Sequence, residues 1–235
     1  MNIEPIDTAV DRSAQDNTVP WTIRDTWIGV FLFALVILFW AFAAFFNLRV
    51  NFLENFGVVL LEVSYLIPVL VFLVIRKAGL RSLGFRRFDV KMMGVGCGLM
   101  LVGYFFIIFH NLVLMLFGIS VQGDAFVKIF EQLDSPFWLF VMGILFAPVV
   151  EETLFRGFIF PGFRQQYGWK KAALLSSTIF AAAHLQLVAF IPTFIPGLLF
   201  SYLYHKTNST LPGMIIHLIV NAIGLFSLYA VSLLS

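Results

Sequence analysis

Long apolar runs alternate with short polar stretches along most of the chain. They cover residues 27–46, 56–75, about 92–117, a fourth opened by Pro136, and about 172–187, 189–204 and 211–234. A helix rising ~1.5 Å per residue needs about 20 apolar residues to cross a ~30 Å hydrocarbon layer. The pattern therefore predicts an all-α fold, a polytopic transmembrane helical bundle of about seven spans. The fifth and sixth runs are short, which predicts a tilted or partly re-entrant segment, and Pro192 and Pro196 predict a bend at the start of the sixth. Residues 118–135 break the rhythm. There Phe126, Ile129, Phe130 and Leu133 recur at helical spacing, with Asp124, Lys128, Glu131 and Asp134 opposite or between them. That predicts a short amphipathic helix, either lying on the membrane surface or packed on the bundle. Residues 1–20 are polar and lack the apolar centre of a signal peptide, so they are expected to form a disordered tail ahead of a single transmembrane domain at 21–235.

Composition strengthens this picture. The chain is 60% hydrophobic and only 12% charged, and 29 of its 235 residues are Phe. Soluble domains run at roughly 45–50% apolar and about 25% charged. A multi-pass protein of the cell membrane follows, with the lipid bilayer as its first partner. The basic clusters are short and flank the apolar runs, which argues against nucleic acid as a partner. A single cysteine, Cys97, can close no internal disulfide, matches no metal-ligand spacing and reads as a small packing residue. Lys and Arg placement orients the bundle. With seven spans, twelve basic residues fall on the side of Arg12, Arg24, the 76–91 loop, Arg164, Lys170, Lys171 and Lys206, against Arg49 and Lys128 on the other. The N-terminus is expected in the cytoplasm.

The fourth apolar run ends in Glu151-Glu152-Thr153-Leu154-Phe155-Arg156. An ionisable side chain at membrane depth costs at least ~2.5–3.5 kcal/mol and by default marks a functional site. Glu152 and Arg156, at i and i+4, have the favourable orientation for a helical ion pair, which leaves Glu151 as the free carboxylate. His184 lies one turn after Phe180 in the fifth run, and His217 and Asn221 share a face of the last. All of these can meet at one depth, where a carboxylate, two imidazoles and a carboxamide suit water activation and oxyanion stabilisation. Two other polar residues have blander readings. Glu62 is expected to find a buried structural partner, and His110, beside Asn111, an inter-helix hydrogen bond.

Together, Glu151-Glu152-x-x-x-Arg156, Phe180-x-x-x-His184 and His217-x-x-x-Asn221 resemble the three ordered motifs of the CAAX prenyl protease type 2 and bacteriocin-processing family (CPBP, also called Abi). The resemblance covers a catalytic core at about 136–224 and includes the stretch from Gly197 to Tyr204. It is specific to the family and not to a substrate. It implies an intramembrane endopeptidase, open toward the cytoplasm, that cuts a peptide or membrane-protein substrate. Glu151 with His184 would activate the water, His217 with Asn221 would hold the oxyanion, and Glu152 with Arg156 would form a structural ion pair. A glutamate-type and a metallo-type mechanism both stay open. Glu151, His184 and His217 would suit a three-ligand zinc site, yet no H-E-x-x-H helix is present and the reading adopted is one without a tightly bound metal. The rival classes are a non-proteolytic immunity or adaptor protein on the same scaffold and a proton-coupled transporter. The transporter would need two pseudo-symmetric halves, which the sequence lacks.

Overall fold

The structure, a computed structural model, describes residues 18–46, 53–132 and 135–234. Every regular element among them is helical. Helix α1, Ile23–Phe45, opens on a capping box: the Thr22 hydroxyl accepts the Asp25 N–H at 3.2 Å and the Asp25 carboxylate accepts the Thr22 N–H at 2.7 Å. Asp25 also pairs with Arg76 at 2.6 Å, tying the start of α1 to the end of α3. Helices α2, Leu53–Ser64, and α3, Ile67–Ile75, follow one another across a turn, with Pro68 in the first turn of α3 where its missing N–H is not needed. Next come α4, Lys91–Leu116, and the amphipathic α5, Gln122–Gln132.

A long helical stretch, Phe137–Ala183, forms α6. It is broken at Gly168, whose φ of 74° and ψ of 163° suit glycine and stop the helix. The two limbs, 137–167 and 169–183, lie antiparallel. Ser176 Oγ reaches the Phe155 carbonyl at 3.5 Å, and the Phe155 and Phe180 rings sit 5.0 Å apart. Each pair is nearly symmetric about Gly168. Helix α7, Phe190–Thr207, ends at Asn208 in the left-handed region (φ 50°), and α8, Leu211–Ser232, completes the bundle. Among the described residues, five helices are long and apolar enough to cross a membrane, with a shorter apolar stretch at Val59–Ile75. The protein is a multi-pass integral membrane protein.

The bundle has two chemically different ends. At one, the Gly84 carbonyl accepts the Thr210 N–H at 3.0 Å, Ser209 Oγ donates to the Arg86 carbonyl at 2.7 Å, and Arg164 donates to Asn208 at 2.9 Å. Arg24, Arg76, Lys77, Arg81, Arg86, Arg87, Lys91, Arg164, Lys170, Lys171 and Lys206 all belong to this basic end. At the other, α5 packs on α8 and the start of α6, with Phe130 5.2 Å from Tyr229 and Phe140 4.6 Å from Phe226. Lys128 is the one basic residue there among those described. Between Glu151 and the basic end lies a run of fully buried side chains: Leu154, Phe155, Phe158, Ile159, Phe160 and Phe163 are 0–1% exposed. Phe31, Phe45, Leu101 and Leu116, at 62–85% exposure, point outward as lipid-facing side chains do.

Several expectations change at this level. Cys97 is exposed on α4 and fills no packing role. His110 bonds its own neighbour, Nδ1 to Asn111 Oδ1 at 3.2 Å, and bridges no helices. The amphipathic segment is helical and packs on the bundle through Phe130, which is buried against α8, while its Leu133 and Asp134 lie outside the described residues. Residues 1–17 of the expected tail, and 47–52 of the loop after the first run, lie outside the described residues. Val19 already donates its N–H to Gln165 at 3.3 Å.

Candidate active site

The first limb of α6 is not uniform. It passes from α-helix at Phe137–Phe140 to a π-helical turn at Val141–Phe146, back to α at Ala147–Glu152, and into a second π turn at Thr153–Ile159. Such widened turns recur at functional sites because they re-aim side chains and loosen backbone carbonyls. The short α segment between them carries both glutamates.

Glu152 and Arg156 are fully buried, and Arg156 Nη1 donates to Glu152 Oε1 at 2.8 Å. Arg156 Nη2 donates to the Gly197 carbonyl of α7 at 2.9 Å. The guanidinium lies 4.7 Å from the Phe180 ring and 5.3 Å from Phe200, so aromatic faces cover much of its charge. Two glycines make room. A Cβ on Gly197 would meet Arg156 Nη2 at 3.3 Å, and one on Gly213 would meet Glu152 Oε2 at 2.8 Å.

His217 of α8 stands between the two carboxylates. Its Nε2 is 3.7 Å from Glu151 Oε2 and its Nδ1 is 3.5 Å from Glu152 Oε1, while Phe200 stacks on the ring at 5.0 Å. His184 caps the second limb of α6, and its Nδ1 is 2.9 Å from the Phe180 carbonyl. A carbonyl only accepts, so Nδ1 carries the proton and Nε2 keeps the lone pair. Asn221 Nδ2 donates to the Gly143 carbonyl at 2.7 Å, inside the first π turn. One cavity of about 440 Å³ is lined by Glu151, His184, His217 and Asn221 together. Glu151 comes into near contact with His217 and shares the cavity with His184.

Glu62 of α2 lines the same cavity, and its Oε2 is buried without a hydrogen-bond partner. The structural partner expected for it is absent among the described residues. A lone carboxylate in an apolar run was the available signal, but the sequence could not say which cavity it faces. Tyr104 of α4 joins the wall as well.

The remaining walls fix the cavity's direction. They come from Gln122, Gly123 and Phe126 of α5, Leu139, Met142 and Gly143 of α6, Pro192 and Thr193 of α7, and Gly224, Leu225 and Leu228 of α8. These lie on the α5 side of Glu151 and His217, while Phe180, which packs on Arg156 and Phe155, lines the cavity on the other side. Most of the cavity thus extends from Glu151 toward the α5 end and away from the basic loops.

Among the described residues no three His, Cys, Asp or Glu side chains converge on one point. The 3.7 Å between Glu151 and His217 would accommodate two ligands of one ion, and the bond from His184 Nδ1 to the Phe180 carbonyl leaves its Nε2 available.

Comparison with known proteins bears on the same segment. Residues 133–223 match the family model described as Type II CAAX prenyl endopeptidase Rce1-like. The match covers less than half of the chain and marks a segment similar to the Rce1-like CPBP family. An Escherichia coli protein named "Uncharacterized 24.3 kDa protein" is 30% identical over 133 residues, 53% of this chain and 61% of its own length. A Bacillus subtilis protein named "Putative membrane peptidase YdiL" is 26% identical over 105 residues, 45% of this chain and 43% of its own. The "UPF0177 protein YxdF" of Lactococcus lactis is 29% identical over 167 residues, 68% of this chain and 90% of its own. The chain thus spans less than two thirds of the first two of these relatives. No solved structure matches it. The Rce1-like segment contains Glu151, Glu152, Arg156, His184, His217 and Asn221, and leaves Glu62 outside.

Proposed function

We propose that this Rce1-like protein is an intramembrane endopeptidase, with residues 21–235 acting as one transmembrane domain that crosses the bilayer seven times. The observation that carries the reading is the shared cavity of Glu151, His184, His217 and Asn221, with Glu151 and His217 in near contact. A binding module has no need of a carboxylate, two imidazoles and a carboxamide on one wall.

The chemistry follows from which atoms are free. Water is held between the Glu151 carboxylate and His184 Nε2, the nitrogen that keeps its lone pair. Glu151 takes a proton as the water oxygen adds to the substrate carbonyl carbon. The oxyanion accepts from a His217 N–H and from the Asn221 N–H not committed to Gly143. The C–N bond then breaks, the proton on Glu151 passes to the leaving amine, and a carboxylic acid and an amine result, which depart as carboxylate and ammonium once the acid's proton has moved to the amine. Glu152 and Arg156 hold the helix and the His217 ring in place. Preorganised donors in a dry site are often the largest catalytic contribution. No step passes through a metal.

The test is cleavage of a mixed library of membrane-adjacent peptides by the purified protein in liposomes, with wild type and Glu151→Gln compared with and without a strong chelator. The expected result is cleavage by wild type, indifferent to chelator, and lowered about 10²–10⁴-fold in Glu151→Gln, the usual span for loss of a general base. Cleavage abolished by chelator and restored by zinc overturns the metal-free mechanism. No cleavage by wild type overturns the peptidase reading in favour of the immunity or adaptor class.

A further inference from the structure

We infer that the site is served from the side of the membrane opposite the basic loops, and that its substrates are membrane-tethered polypeptides whose scissile bond lies in the extracytoplasmic half of the bilayer. The substrate class rests on the peptidase reading above; the direction of access does not. Two independent observations carry it. The first is charge. Among the described residues the Lys and Arg side chains gather at one end of the bundle, with Lys128 their exception at the other. Such a bias sets the basic end in the cytoplasm.

The second is packing. From Glu151 toward the basic end the path is closed by the fully buried aromatic layer of Phe155, Phe158, Phe160 and Phe163 and by the Glu152–Arg156 pair. From Glu151 toward the other end the cavity continues, past Met142 and Gly224, to Gln122 and Phe126 of α5. A chain entering from the cytoplasm would have to cross this run of fully buried side chains. A chain entering beside α5 meets a cavity already open. Its walls are mainly apolar, as a membrane-embedded segment requires, and its charged groups, Glu62 and Glu151, are both carboxylates. A soluble cytoplasmic tail, prenylated or not, would reach neither the mouth nor the water.

Two measurements separate the side of access from the chemistry. In a Cys97→Ser background, Gln122→Cys and Arg81→Cys are reacted with a membrane-impermeant thiol reagent in intact spheroplasts and again after the membrane is opened. The expected outcome is that Gln122→Cys labels equally before and after, and Arg81→Cys labels only after. The reverse pattern overturns the inference. Undisturbed folding is read from monodisperse yield in detergent, and Lys128→Cys serves as a second reporter of the α5 end should Gln122→Cys fold poorly.

The other measurement co-expresses wild type or Glu151→Gln with two single-span reporters that carry the same randomised segment at the outer or the inner end of the span. Loss of intact outer-end reporter, dependent on Glu151, is expected. Cleavage confined to the inner-end reporter overturns the substrate class. If neither is cut, the peptidase reading and the substrate class fall together, and the labelling alone decides the side.

Discussion

Arg156 and Glu62 mark opposite ways of keeping a charge inside a membrane protein. Arg156 is wholly buried, yet it has Glu152, the Gly197 carbonyl and two aromatic faces as partners. Breaking a buried pair by removing one member strands the other, at a cost of about 3–5 kcal/mol. Arg156→Ala is therefore expected to cut the folded yield in detergent well below that of Glu151→Ala, whose carboxylate is partly open to the cavity. Equal yields by size-exclusion chromatography would contradict the structural assignment. Glu62 has no such support, since its Oε2 is buried without a hydrogen bond. An unpartnered buried polar group costs about 1–3 kcal/mol, so Glu62→Met, which removes it while keeping an unbranched side chain, is expected to raise the melting temperature. If the carboxylate contributes to the site it shares with Glu151, the same variant loses cleavage. A variant with higher melting temperature and full cleavage would remove Glu62 from the site.

At the scale of elements, the close approach of α8 to α6 decides whether His217 stays between its two carboxylates. Gly213 allows that approach, because a Cβ there would meet Glu152 Oε2 at 2.8 Å. Glu152 is pinned by Arg156 and cannot swing away cheaply. Overpacking of this kind costs typically ~1–3 kcal/mol. Gly213→Ala is expected to lose both stability and cleavage, while Gly94→Ala on α4, which meets nothing within 4 Å, changes neither. Thermal melting and peptide cleavage of the two variants side by side check this. The elements themselves were largely legible. Hydropathy marks apolar runs because lipid demands them, and Gly168 splits α6 where a basic loop had been expected. The i, i+4 spacing of Glu152 and Arg156 was enough to pair them, since that contact is local to one helix. The π turns were not legible, as they depend on how α6 packs in the bundle and leave no mark in residue spacing. The tie of His184 to Phe180 was likewise hidden, because it depends on which way a ring turns at a helix end.

At the scale of the molecule, one cavity collects side chains from α2, α4, α5, α6, α7 and α8, and its shape makes it separable from the fold. Motif spacing could place Glu151, His184 and His217 at a common depth but could not say which end of the bundle is solid. That depends on how the aromatic side chains between Leu154 and Phe163 fill space with partners as distant in sequence as Trp21 and Phe72. The resulting asymmetry, dense toward the basic loops and hollow toward α5, predicts that blocking the hollow half abolishes function without touching stability. Gly224 gives the means: it lines the cavity, and a Cβ added there meets nothing within 4 Å. Gly224→Phe is expected to fold with wild-type yield and melting temperature, since its ring enters open space rather than a packed core. Cleavage is expected to fall to the level of Glu151→Gln, because the ring stands between the α5 side and the Glu151–His217 pair. Retained cleavage in a well-folded Gly224→Phe protein would mean that substrate reaches Glu151 by another path, and the hollow half would lose its role as the entrance.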